Sequence, residues 1–142
     1  MKDAVGGSLL LYLVVIFTSI VILFFAGILA YSKAYKVKNR IIEVIEKHGT
    51  YDSSVVAEIN NDLNRAGYRS VSSNAQLNSK CGNQNLNSTT YFYCVYEDES
   101  SLESGKSYKV VTYVHFDFPV IGDILEFPVR GQTKTLGKTY DY

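Results

Sequence analysis

Residues 8–48 read SLLLYLVVIFTSIVILFFAGILAYSKAYKVKNRIIEVIEKH, and the reading of this stretch decides the fold. From Ser8 to Tyr31 it carries no charge and no proline. A membrane-spanning helix needs roughly 20 such residues. The helical pattern does not stop where the apolar run stops. Residues 32–48 contain no Gly or Pro, and Val37, Ile41, Ile42 and Ile45 recur at spacings of three and four, as one face of a helix requires. The first stop is Gly49, preceded by Lys47 and His48, cations that suit the last turn of a helix. The expectation is one helix of about 40 residues, on the order of 60 Å long at 1.5 Å per residue. Its first half is apolar throughout. Its second half is an amphipathic stem that offers Val37, Ile41, Ile42 and Ile45 to the rest of the chain.

Tyr12 and Tyr31 stand 19 positions apart. That is about 29 Å along a helix, which puts an aromatic ring at each edge of a hydrocarbon core. The run exceeds the 7–15 residues of a signal-peptide core. An uncleaved anchor is therefore expected over cleavage at the weak small-x-small site of Ser32 and Ala34. One stripe carries Ala26, Ala30 and Ala34, with Gly27 beside them. Small residues at four-residue spacing let helices approach closely, so the stripe is a candidate helix–helix contact face. Orientation has two opposed signals. Lys33, Lys36, Lys38 and Arg40 crowd the C-terminal flank and only Lys2 the other, which would place the C-terminal domain in the cytoplasm. The cysteine pair and the Tyr-, Ser- and Asn-rich remainder argue for the outside.

About 94 residues follow the helix, enough for one small domain with one core. Fourteen basic and fourteen acidic residues cancel, so no basic surface for nucleic acid is offered. Twelve tyrosines, seven phenylalanines and no tryptophan point to a sheet with aromatic cross-strand pairs. Thr50, Asp52 and Ser53 are candidate N-caps for a second helix over 53–66, with Val55, Val56, Ile59, Leu63 and Ala66 on its apolar face and Gly67 at its end. A short strand is expected over 68–72 and a long Asn/Ser-rich loop over 73–89. Residues 90–97 (TYFYCVYE) form a strand with Phe92, Cys94 and Tyr96 on one face and Tyr91, Tyr93 and Val95 on the other. After the polar turn DESSLESGK, residues 107–118 form the next strand. Tyr108, Val110, Thr112, Val114, Phe116 and Phe118 share one face of it. Pro119 to Asp123 turn the chain, and a last strand runs over 124–136. Pro128 lacks a ladder donor, so this strand is an edge or is interrupted there.

Little catalytic chemistry is legible. Cys81 and Cys94 fit no zinc spacing. One disulfide is the natural reading in an oxidising space, closing a loop of roughly 14 residues worth about 3 kcal/mol. His48 sits at a helix end, and His115 between Tyr113 and Asp117. Neither has a second ligand near it in sequence. Glu97, Asp98, Glu99 and Glu103 could hold calcium but lack a known loop spacing, and a solvated hairpin turn is the favoured reading. Asn87-Ser88-Thr89 matches a glycosylation sequon, a triplet too common by chance to carry weight. No serine has a nucleophile-elbow context and no phosphate-binding glycine loop is present. No enzyme, cofactor, metal or small-molecule substrate is expected.

A few polar residues, Gly6-Gly7, a long apolar helix running into an amphipathic stem and a small disulfide-bearing sheet domain resemble a pilin or pseudopilin. Within that class the chain is most similar to the TadE/TadF-like minor pilins of tight-adherence (Flp-type) pili. FFAGILAYSKAYKVKNRIIEVIEKHG (residues 24–49) resembles that family's membrane helix and stem. FDFPVIGDILEFPVRGQTKTL (residues 116–136) resembles its ending, a Phe/Pro-containing strand followed by one with Gly and Thr. The resemblance implies an α+β fold of pilin type: a long transmembrane and stem helix, a second short helix and an antiparallel sheet of three to four strands. It divides the chain into a short N-terminal segment or leader (1–7), the helix (8–48) and an extracytoplasmic domain (49–142). It implies a structural or assembly subunit of a type IV-like pilus, partnered by the lipid bilayer, other pilins and the assembly platform. The alternative is a single-pass anchored binding module, an adhesin or sensor ectodomain. The chain departs from the family at its tip. Prepilins are cut after a glycine and usually carry glutamate at mature position five. A cut after Gly7 makes Ser8 the first residue and Tyr12 the fifth; a cut after Gly6 puts Leu11 there.

Overall fold

The computed structural model describes residues 2–71, 73–98, 105–115 and 126–136. A single helix, α1 (Lys2–His48), takes in both the apolar run and the stem without a break. It starts earlier than the apolar pattern, so Gly6, Gly7 and Ser8 are helical. It ends where expected: Gly49 adopts φ 75° and returns its N–H to Ile45 O at 2.8 Å. That left-handed turn is one glycine enters without steric cost. Helix α2 (Ser53–Arg65) begins at Asp52, whose carboxylate accepts from the backbone N–H of Ser54 at 3.0 Å and of Val55 at 3.1 Å. It closes with Tyr68 N–H on Leu63 O and Gly67 N–H on Asn64 O.

A third helix, α3 (Asn74–Cys81), occupies part of the expected 73–89 loop. Only Leu77 and Cys81 of this helix are buried. One apolar pair at i, i+4 in an Asn- and Ser-rich stretch is too weak a period to be seen in sequence. The expected strand at 68–72 is reduced to an isolated bridge between Ser70 and Tyr91.

Strands β1 (Tyr93–Asp98), β2 (Ser107–His115) and β3 (Glu126–Gln132) form one antiparallel sheet in that order. Tyr93 faces Thr112 and Val95 faces Val110 across the first pair; Val110 faces Gly131 and Thr112 faces Val129 across the second. Strand β3 is an edge, as Pro128 requires. Thr133 N–H bonds Tyr108 O at 2.9 Å. The antiparallel alternation then turns odd-numbered β3 amides toward β2 and leaves position 128 on the open side. The far edge of β1 is covered instead: Leu86 N–H bonds Val95 O, and Asn85 Oδ1 accepts from Val95 N–H. Residues 116–118 of the expected second strand, the 119–123 turn, Ile124, Leu125, Glu99 and Glu103 lie outside the described residues.

The core lies between the α1 stem, α2 and the inner face of the sheet. Val37, Ile41, Val44 and Ile45 meet Val55, Ile59 and Leu63 of α2 and Tyr93, Val95, Tyr108 and Val110 of the sheet. Ile42 packs at its margin. Val44 is buried as fully as Ile41, and Lys38 is buried along its stem, with Nζ 4.2 Å from the centroid of the Tyr35 ring. Gly131 sets how closely β3 lies on α1, because a Cβ there would stand 2.7 Å from Ile42 Cδ1 and 2.9 Å from Lys38 Cδ. The α1–α2 corner is clasped by Glu58, which accepts from Lys47 at 3.2 Å and lies 2.7 Å from His48.

Ile41→Ala should cost about 2–5 kcal/mol in denaturant unfolding, as other buried Ile→Ala changes do, and Ile42→Ala distinctly less. Acid should loosen the α1–α2 corner. The Ser54 hydroxyl and Val55 amide hold the Asp52 carboxyl below its ordinary 3.8, and His48 and Lys47 hold Glu58 below its ordinary 4.5. A depressed folded value means stability that is present above the unfolded pKa and lost as pH falls through the folded one. Denaturation midpoints should therefore drop below about pH 4.5, and Glu58→Gln should flatten that drop.

Candidate functional site

Among the described residues, most of the exposed large hydrophobic side chains lie on the first half of α1. From Asp3 to Phe25 every residue is exposed. It is the one described helix long and apolar enough to cross a membrane, and none of its most apolar window is buried by the domain. Two of its hydroxyls are satisfied within the helix: Thr18 Oγ1 donates to Val14 O at 2.7 Å and Ser19 Oγ to Val15 O at 2.8 Å. That is how polar side chains are accommodated in hydrocarbon.

The alanine stripe does not remain free for a partner helix along its length. Ala34 is 2% exposed and sits beneath Val114 and Val129, with Ala30 packed against the same cluster. Thr112 Oγ1 donates to Ala34 O at 3.1 Å. Small side chains let a sheet approach a helix as readily as they let a second helix approach. Here β2 and β3 take that space. Ala26 and Gly27, both half-buried, lie beyond the cluster. Of the stem residues, Val37, Ile41 and Ile45 are buried in the core and Ile42 is half-buried.

Cys81 and Cys94 are joined by a disulfide with Cα atoms 5.6 Å apart. It ties the end of α3 to β1 and anchors a second cluster with Leu77 and Phe92 on the outer face of the sheet. Tyr96 donates to Cys81 O at 2.6 Å, and the Phe92 and Tyr113 ring centroids are 4.9 Å apart.

The other candidates resolve into structural roles. Asn87 of the sequon is only 4% exposed. Its Nδ2 donates to Tyr91 O at 3.1 Å and Tyr93 O at 2.6 Å, and its Oδ1 accepts from Thr89 N–H at 2.9 Å, so the side chain braces the 85–91 loop. His48 belongs to the Glu58 clasp, and His115 lies against Arg69 and 3.9 Å from Glu126. In the acidic turn, Glu97 pairs with Lys106 and Asp98 with Lys109, both at 3.2 Å. Among the described residues no three His, Cys, Asp or Glu side chains gather into a metal-holding group.

The outer sheet face carries a concavity of about 670 Å³ lined by Tyr96, Tyr113, Lys80, Lys109, Arg130 and Pro128, with their neighbours. Burial raises the Tyr96 and Tyr113 hydroxyl pKa values, and nearby Arg130 offsets only part of that rise. Strand alternation alone puts Lys109 and Tyr113 on this face. Arg130 joins them through the Val111–Arg130 register, which no single strand reveals.

The chain matches no family model, no curated protein and no solved structure.

Proposed function

We propose that the protein is a single-pass membrane-anchored structural subunit of pilin type, a TadE/TadF-like minor pilin or pseudopilin of a tight-adherence pilus. The observation that carries this reading is the continuity of α1, bare from Asp3 to Phe25 and buried in its own domain at Ala34, Val37, Ile41, Val44 and Ile45. A plain anchor needs no stem fused to it without a break. A subunit that exchanges lipid for neighbouring helices does, because the domain must then travel rigidly with its helix. The Cys81–Cys94 disulfide supports an extracytoplasmic domain, since such bonds persist in oxidising compartments. On this reading the partners are the bilayer, other pilins and the assembly platform, the work is packing rather than catalysis, and no cofactor takes part.

The outer-face concavity favours a second reading, an anchored binding module. Two tyrosine rings flanked by Lys109 and Arg130 combine residue types common in recognition surfaces.

Deletion of the gene should abolish or sharply reduce tight-adherence pili, and the protein should co-purify with pilins or the assembly platform after crosslinking in cells. Ala26→Leu should impair complementation while Arg130→Ala should not. Normal pili in the deletion strain would sink the pilus reading. Loss of surface attachment with Arg130→Ala and intact pili would favour the binding module. Sequencing of the mature N-terminus should find Ser8 if a prepilin peptidase acts.

A further inference from the structure

Strand β3 descends along α1 in measurable steps. Lys134 N–H reaches Glu46 Oε1 at 2.7 Å. Gly131 lies on Ile42 and Lys38, and Val129 packs on Ala34. Phe127, two residues further and on the same strand face, is about 7 Å further down. That distance corresponds to four or five helical residues and brings Phe127 level with Ala30. Phe127 is nevertheless 53% exposed. At this same level the apolar run ends. Leu29, one residue before Ala30, is 70% exposed, and Lys33 is the first charge after it.

A second group of residues converges on this level. A cavity of about 470 Å³ against Ala30 and Ala34 is lined by Lys33, Gly67, Tyr68, Arg69 and their neighbours. Lys33 Nζ donates to Gly67 O at 2.7 Å and so ties this loop to the helix exit. Lys33 and Arg69 are exposed. Arg69 lies against His115, and the described carboxylate Glu126 pairs with Lys80. An exposed aromatic ring and exposed cations at one level, at the end of a membrane span, are the arrangement that headgroup interfaces favour. The polar layer on each side of a bilayer is about 5–7 Å thick, so there is no room for a water gap between lipid and domain.

We infer that the end of the domain formed by Phe127, Lys33, Tyr68 and Arg69 is seated in the lipid headgroup layer, rather than held clear of the bilayer on a free stalk. The inference rests on α1 spanning the membrane and is independent of the pilus assignment. The chain has no tryptophan, so each introduced one reports alone. The intact chain would be reconstituted into phosphatidylcholine vesicles with nitroxide-labelled headgroups or with brominated acyl chains. Phe17→Trp tests the span, Phe127→Trp and Ser70→Trp the seat, and Lys134→Trp the far end of the same strand. Several-fold stronger headgroup quenching in Phe127→Trp than in Lys134→Trp is expected. Ser70→Trp carries the same comparison should Phe127→Trp fail to fold. Equal, weak quenching at the two sites, with Phe17→Trp quenched by the brominated chains, would overturn the seating alone. An unquenched Phe17→Trp chain would overturn the span and the seating with it.

Discussion

The described fold depends on one helix with two kinds of surface. Its first half is apolar on all sides and long enough to cross a membrane. Its stem must present a single stripe, and that stripe must be covered. The inner sheet face and α2 cover it, burying Val37, Ile41, Val44 and Ile45 almost completely. At about 1.5–3 kcal/mol per buried aliphatic side chain, these four contribute roughly 6–12 kcal/mol before entropy. A three-stranded sheet with Pro128 on its open edge strand has little independent stability. The helix is as necessary to the sheet as the sheet is to the helix.

Tyrosine does the work that tryptophan or a larger core would do in a bigger domain. Tyr51 and Tyr93 share a buried contact between hydroxyls at 3.1 Å. Tyr68 donates to Phe92 O at 3.0 Å, and Tyr96 donates to Cys81 O. Each ring fills volume while its hydroxyl finds a partner: a backbone oxygen for Tyr68 and Tyr96, one another for Tyr51 and Tyr93. Burial drives the Tyr68 hydroxyl up to about 12 and raises Tyr51 and Tyr93 as well, so all three are neutral at physiological pH. Together with the disulfide and the Asn87 brace, they make rigid a domain with few strands and long connections.

Much of this was legible in the residues. Period 3.6 located three of the stem's buried positions, and period 2 located both faces of β1 and β2. Pro128 announced the edge. What escaped did so for physical reasons. Val44 is the exception: at i+3 from Ile41 and i+7 from Val37 it lies on the same stripe and was equally legible. Helix α3 has one buried pair and is held in place by the disulfide, a tertiary constraint that leaves no local pattern. The alanine stripe was legible as a contact face but not as a contact with this chain's own sheet, because small residues specify close approach and not the identity of what approaches. The concavity on the outer face depends on register between strands, which becomes visible only once the sheet is assembled.

The direction of the domain follows from the same helix geometry and bears on how α1 can meet other helices. At 100° per residue, Ala26 and Ala30 fall on the side of α1 that carries Ala34, Val37 and Ile41 further up. The sheet therefore overhangs the small-residue side, with Val114 and Val129 clustered on Ala34 and Ala30 packed against them. A helix approaching along that stripe near the domain meets the sheet before it meets Ala30. It gains close contact only deeper, at Ala26 and Gly27. Near the domain, the accessible surface of α1 is instead the opposite side, where Phe25 and Leu29 are exposed at 61% and 70%. Large side chains there permit packing but not the close backbone approach that small residues allow. The overhang thus divides the helix into a deep region where small residues can be used and a shallow region where they are already spent on the domain. An assembly built from this chain must bring its neighbours in on the side away from the sheet, or below it.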